Sequence, residues 1–153
     1  MSILSQRIRA EREQRGLKQI QAAKLLGLHP NTYQCYENGS CNPPLPILTE
    51  IAMLFLCPID YLSGRTNKKI VLTPKEGYCY TEFPNQLRNA RMQTGMLQKD
   101  VANAIGVSVT SYACYELNIR RPSYEHFIAL ADLFSVSCDS LLGWHRKEDG
   151  TNE

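Results

Sequence analysis

Gly16-Leu17-Lys18-Gln19-Ile20-Gln21-Ala22-Ala23-Lys24-Leu25-Leu26-Gly27, followed after two residues by Pro30-Asn31-Thr32-Tyr33-Gln34-Cys35-Tyr36-Glu37-Asn38-Gly39, is the stretch that decides the fold. The first block is rich in good helix formers from Gln19 onward and ends at Gly27, a residue able to take the left-handed turn that most residues avoid. Proline is tolerated at a first helical position, so a second short helix starts near Pro30 and runs through Tyr33 and Tyr36 to Gly39. Two short helices joined by a tight glycine turn are the result. Upstream, Leu4 and Ile8 among Arg9, Glu11, Arg12 and Glu13 read as an amphipathic helix stopping at Gly16. Downstream, Asn42-Pro43-Pro44 breaks the chain, Leu48, Ile51, Ala52 and Phe55 recur at helical spacing, and Pro58 opens a last short helix ending before Gly64.

The whole pattern returns 79 residues later with no insertion: Gly16, Gln19, Ala23, Gly27, Tyr33, Cys35, Tyr36, Glu37, Pro43, Phe55, Asp60, Leu62 and Gly64 recur as Gly95, Gln98, Ala102, Gly106, Tyr112, Cys114, Tyr115, Glu116, Pro122, Phe134, Asp139, Leu141 and Gly143. A unit of about sixty residues is longer than most solenoid repeats, and two copies are too few for an array whose units bury their core against neighbours. Each copy is therefore read as a domain, small but viable. The predicted class is all-α, with two tandem five-helix domains at residues 1–64 and 83–143, a linker at 65–82 and a tail at 144–153. The second copy's helices are predicted over residues 87–94, 99–105, 109–116, 124–134 and 138–142. Within the linker, Ile70-Val71-Leu72-Thr73-Pro74 is β-prone, and the tail, polar apart from Trp144, is expected to fray.

Composition narrows the function classes. No run of about eighteen apolar residues exists, and the start of the chain passes at once into charged residues, which predicts a cytoplasmic protein with no membrane partner. Six cysteines form no C-x-x-C pair, and no histidine stands at ligand spacing, so neither disulfides, a metal nor a cofactor is expected. His29, His126 and His145 lack a convergent Asp or Ser pattern and no phosphate-binding glycine loop is present, which argues against an enzyme. The net charge is +2; residues 1–64 carry 6 basic against 5 acidic side chains and residues 83–143 carry 5 against 5. That balance is compatible with a nucleic-acid partner without requiring one.

The string Arg12-x-x-x-Gly16-Leu17-x-Gln19, Ala23-x-x-Leu26-Gly27-Leu28 and Tyr36-Glu37-Asn38-Gly39-x-x-x-Pro43 resembles the lambda-repressor-like, or XRE-type, helix-turn-helix proteins. The second copy carries it as Arg91-x-x-x-Gly95-Met96-x-Gln98, Ala102-x-x-Ile105-Gly106-Val107 and Tyr115-Glu116 followed by Pro122. The resemblance implies a bacterial or phage-encoded protein with double-stranded DNA as partner, the third helix of a domain lying in the major groove, whose width admits one α-helix. It implies that Gln19 and Gln98 reach phosphate, and that Arg12 pairs with Glu37 and Arg91 with Glu116 inside each domain. Base-facing positions would be Pro30, Asn31, Thr32, Gln34 and Cys35 in one copy, and Val109, Thr110, Ser111, Ala113 and Cys114 in the other. Asn38, Arg120 and Arg121 are further phosphate candidates, contacts that position without specifying. Lys18, His29 and Leu97 stand where the family has hydroxyl caps; a missing cap costs about 1 kcal/mol unless another group replaces it.

The copies are not equivalent readers. Asn31 and Gln34 are amides, able to pair with the donor and acceptor edge of adenine, whereas Val109 and Ala113 offer only contact with a thymine methyl. The expectation is a sequence-specific transcriptional regulator, a repressor, with domain 1 as the base reader. The alternative is an interaction module or antitoxin-like adaptor in which at least domain 2 has lost DNA reading and serves dimerisation. Two pairings are open: a homodimer, or an intramolecular pseudo-dimer bridging half-sites about 34 Å apart through a linker whose root-mean-square span is about 23 Å and whose limit is about 60 Å.

Overall fold

The computed structural model describes residues 2–69 and 82–143, and within them every regular element is a helix. The chain divides into two compact units, Met1–Pro74 and Lys75–Glu153. Domain 1 comprises α1 (Ile3–Gln14), α2 (Gln19–Leu25), α3 (Pro30–Asn38), α4 (Leu45–Phe55) and α5 (Ile59–Leu62). Domain 2 repeats the order as α6 (Phe83–Thr94), α7 (Gln98–Ile105), α8 (Val109–Glu116), α9 (Tyr124–Leu133) and α10 (Cys138–Leu141). Helix α6 begins at Phe83 rather than at Leu87 because Pro84 suits a first turn and both Phe83 and Pro84 are buried. The β-prone run 70–74 and the tail from Trp144 lie outside the described residues.

The apolar positions that recur in the sequence are the core. In domain 1, Ile8, Ala22, Ala23, Tyr33, Leu48, Ile51, Ala52, Phe55, Ile59 and Leu62 have no exposed surface. Domain 2 buries Leu87, Val101, Ala102, Tyr112, Phe127, Leu130 and Leu141 in the same way. Cys57 and Cys138 are core residues too, small hydrophobes and not reactive thiols. Between α2 and α3 the turn is closed by the Leu28 N–H donating to Ala23 O at 2.8 Å, a bond that needs Gly27 at φ +66°. In domain 2 Val107 N–H and Ala102 O repeat it at 3.0 Å around Gly106.

The missing hydroxyl caps of α2 and α7 are partly made good. Gln21 Oε1 accepts from the Lys18 N–H at 2.8 Å, and Asp100 Oδ2 accepts from the Leu97 N–H at 3.0 Å, which is half of a capping box at each helix start. The third position named as a departure, His29, does cap: its Nδ1 accepts from the Asn31 N–H at 3.2 Å.

Residues 65–69 remain on domain 1. Arg7 donates to Thr66 O and Asn67 Oδ1, each at 2.7 Å, and to Tyr61 O, while its guanidinium lies over the Tyr61 ring. Lys69 Nζ reaches Glu11 Oε1 at 2.8 Å and Gln14 Oε1 at 3.0 Å. Glu11 is 1% exposed, its other oxygen is held by Arg15 at 2.7 Å, and Arg15 also donates to Phe55 O. The corresponding residue of domain 2 is the buried Ala90, so this ionic clasp belongs to domain 1 alone.

Gly64 sits at φ +83° where α5 returns to α1, and a Cβ there would lie 2.7 Å from Ile3 Cγ2. Gly16, at φ +65°, has no atom within 4 Å of the same position. Gly16→Ala is expected to cost about 1 kcal/mol of backbone strain. Gly64→Ala is expected to cost more, since Ile3 must also move; urea denaturation of the two variants checks the order, and equal losses would contradict it.

Candidate nucleic-acid interface

Helix α3 carries two faces by its 3.6-residue period. Tyr33, Tyr36 and Glu37 point inward and are buried. Asn31, Gln34 and Asn38 are exposed and stand three and four residues apart, so they form one row along the outer face. Thr32 is exposed beside them, and Pro30 and Cys35 are half-buried at its edges. The row starts at the His29 cap and ends at Gly39, which is left-handed at φ +75°. The helix therefore presents a short, polar, amide-bearing surface from a fully packed base. Cys41, itself exposed, lies against Cys35 just beyond its end, and slight desolvation together with the neighbouring thiol pushes it up from the ordinary range.

The base is fixed by one carboxylate. Arg12 of α1 donates from Nε to Glu37 Oε1 at 2.6 Å and from Nη2 to Oε2 at 3.1 Å, and Gln19 of α2 donates to Oε2 at 2.8 Å. Arg12 also donates to Leu17 O at 2.7 Å, inside the α1–α2 connection. Three helices thus meet at Glu37. Burial by itself would raise its carboxyl, but the bonds from Arg12 and Gln19 outweigh burial and hold it below the usual range. Buried Tyr33 is pushed far up by desolvation and by this carboxylate, close enough to perturb it without completing a hydrogen bond.

Domain 2 repeats the arginine and glutamine bonds of this arrangement with the same atoms. Arg91 Nε and Nη2 donate to Glu116 at 2.6 and 3.3 Å, Arg91 donates to Met96 O at 3.1 Å, and Gln98 donates to Glu116 at 2.9 Å. Here the tyrosine bond is complete, Tyr112 donating to Glu116 Oε1 at 2.8 Å. Burial opposes and the same donors overcome it, so Glu116 also sits below the usual range. The Arg–Glu pairs are those expected; the glutamine partners are not among the sequence expectations. Their signal was present, since Gln19 precedes Glu37 by the same interval as Gln98 precedes Glu116. Each glutamine keeps a second N–H that this network does not use.

The outer face of α8 differs from that of α3. Thr110 is exposed, but Ser111 Oγ accepts from the capping Ser108 Oγ at 2.9 Å. Ala113 and Cys114 are half-buried, and Arg120 and Arg121 are exposed after the helix. Where domain 1 has Lys18, Asn38 and Ser40, domain 2 has Leu97, Leu117 and Ile119. Among the described residues no cluster of three His, Cys, Asp or Glu side chains could hold a metal, and no helix is long and apolar enough to cross a membrane.

Two short helices in a glycine turn, locked by a buried carboxylate to a supporting helix, define a helix-turn-helix domain, present here twice. A family profile described as helix-turn-helix matches residues 8–62 and 87–141, and the chain belongs to that family, in its lambda-repressor-like, XRE-type form. It is similar to the HTH-type transcriptional regulator AnsR of Bacillus subtilis (strain 168), 36% identical over 64 residues, which are 42% of this chain and 55% of the relative. It is also similar to the cryptic phage CTXphi transcriptional repressor RstR of Vibrio cholerae serotype O1 (strain ATCC 39315 / El Tor Inaba N16961), 35% identical over 69 residues, 44% of this chain and 62% of the relative. An uncharacterized HTH-type transcriptional regulator of Bacillus subtilis (strain 168), YqaE, is 33% identical over 60 residues, 39% of this chain and 52% of the relative. The chain spans just over half the length of these curated relatives.

Proposed function

We propose that the chain is a sequence-specific DNA-binding transcriptional regulator acting as a repressor in a bacterial or phage setting, with domain 1 as its reader. The observation that carries this is the exposed row Asn31, Gln34 and Asn38 on α3, borne by a helix that the Glu37 network fixes to α1 and α2. A helix held this way enters the major groove with its first residues at base edges. Asn31 and Gln34, flanked by Pro30 and Thr32, face the bases; Gln19 at the start of α2 and Asn38 at the end of α3 face the backbone. The names of the relatives support regulation, and that of RstR supports repression.

Domain 2 fits a partner-facing role better than a reading one. Ser111 is engaged with its helix cap, Leu117 stands where domain 1 has Asn38, and Gln98 is bonded to Glu116 as Gln19 is to Glu37, so the exposed contacts proposed for domain 2 reduce to Thr110, Arg120 and Arg121. With domain 2 partner-facing, the pairing that brings two readers to two half-sites is that of two chains rather than of the two domains of one.

Fluorescence anisotropy with DNA from upstream of its own gene, titrated from low to physiological salt, tests the reading. The logarithm of the affinity should fall linearly with the logarithm of salt concentration, and the site should win over scrambled DNA of equal length. Equal binding to both at low salt removes the proposal.

A further inference from the structure

Two cysteines meet at the end of α3. The helix closes on Gly39 in the left-handed region, and the Ser40 N–H donates back to Cys35 O at 3.0 Å, which turns the chain so that Cys41 passes alongside Cys35. Their side chains stand in hydrogen-bond contact. Burial first, and then both sulfurs, push the hydroxyl of the buried Tyr36 up, so the pair sits beside that side chain. Cys41 is exposed and Cys35 half-buried, which leaves the pair open to solvent. Other cysteines are placed differently: Cys57 and Cys138 have no exposed surface, and Cys114, the counterpart of Cys35, has Arg120 at the position of Cys41. A separation of six positions carries no C-x-x-C signal, so the pair emerges only from the fold.

We infer that Cys35 and Cys41 are a reversible dithiol–disulfide site, closed by exchange with a small-molecule disulfide such as oxidised glutathione, and that closing it weakens the hold of domain 1 on DNA. The second half rests on the reading of domain 1 given above. Cys41, the more open sulfur, attacks one sulfur of the oxidant as the thiolate; the oxidant's S–S bond breaks and one small thiol leaves. Cys35, deprotonated in turn, attacks the Cys41 sulfur of the mixed disulfide, and the second small thiol leaves. The chain gives up two electrons and two protons, and the small disulfide takes up both as two thiols. An accessible cysteine with a resolving partner in contact is the arrangement this chemistry requires. The covalent bond holds the sulfurs closer than a hydrogen bond between thiols does, so closure draws the turn through Asn38, Gly39 and Ser40 toward α3. Asn38 is exposed in that turn and is the proposed phosphate contact, which is how DNA affinity registers the closure. With arginine at the second position, domain 2 is an internal control.

Incubating the full chain with excess oxidised glutathione, alkylating the remaining thiols and cleaving after Glu37 tests the site by mass spectrometry, because that cut separates Cys35 from Cys41 unless a disulfide joins them. The two peptides should appear joined, and dithiothreitol should free them. Cys114 should form no link to another cysteine. Alkylation of both Cys35 and Cys41, glutathione left on either without a link between them, or a bond from either to another cysteine or another chain overturns the inference. On DNA from upstream of its own gene, the oxidised chain should bind roughly two- to tenfold more weakly than the reduced one, the worth of one ordinary hydrogen bond. Cys41→Ser should bind as the reduced chain does, with or without the oxidant. Equal affinity of the oxidised and reduced chains, or the same weakening in Cys41→Ser, overturns the inference as well. Should the reduced chain show no site-selective binding, the reading of domain 1 falls and the peptide linkage alone decides the site.

Discussion

Arg12→Ala is expected to destabilise domain 1 by about 3–5 kcal/mol, the cost of leaving a buried carboxylate without its cation, and a large share of the stability of a sixty-residue domain. Glu37 is 1% exposed and would keep only the Gln19 amide as a full hydrogen-bond donor. The variant should also reverse the pH response. In the native protein the Glu37 carboxyl lies below its unfolded value, so its contribution is complete above the ordinary carboxylate range and is lost as pH falls through the lowered folded value. Without Arg12, burial dominates and lifts the carboxyl above its unfolded value. The folded variant then binds a proton the unfolded chain does not, and stability rises as pH falls. Denaturant melts followed by circular dichroism at several pH values read both effects. A loss under about 1 kcal/mol, or stability falling with acid as in the native protein, would show that the pair does not hold the domain. The double substitution Arg12→Met with Glu37→Met should recover most of the loss, since an apolar pair of similar volume replaces a buried ion pair at little cost.

Asn31→Ala combined with Gln34→Ala is expected to lower discrimination between operator and scrambled DNA by about 1–3 kcal/mol per amide, roughly tenfold to a hundredfold each, with little change in the salt slope. Neither side chain touches the core, so the melt should not move. The matching pair in domain 2, Thr110→Ala with Ser111→Ala, should change discrimination by less than about threefold if domain 1 is the reader. Competition binding with both variants decides it. Equal losses from the two pairs would make both domains readers, and no loss from the first pair would remove Asn31 and Gln34 from the bases.

Much of this arrangement is legible in the residues. The offset repeat, the glycine turns and the helical spacing of Leu48, Ile51, Ala52 and Phe55 lead to two five-helix domains, because local propensity and burial agree at those positions. The Arg12–Glu37 and Arg91–Glu116 pairs follow from the family resemblance. What is not legible depends on partners far along the chain. Glu11 reads as one charge among many on α1, yet it is buried because Arg15 and Lys69 close over it. Lys69 reads as linker for the same reason. Gln19 is a phosphate contact by the resemblance alone, and its bond to Glu37 is not legible because it forms only when α2 and α3 cross. The exposed leucines of domain 2 are indistinguishable from core residues by type, and become visible only when the two copies are superposed position by position.

The carboxylate where α1, α2 and α3 converge has a thermodynamic consequence. Any tilt of α3 against α1 and α2 would strain the Arg12 and Gln19 bonds to Glu37 together, so the outer faces of the three helices travel as one rigid body. In the proposed reading, docking then spends little conformational entropy inside the domain, and the ordering that accompanies recognition falls on the exposed amide rotamers, the solvent and the DNA. Such a reader gains its specificity by fitting or failing to fit, and sequence preference would reflect how far the duplex itself must deform to meet a surface that does not yield.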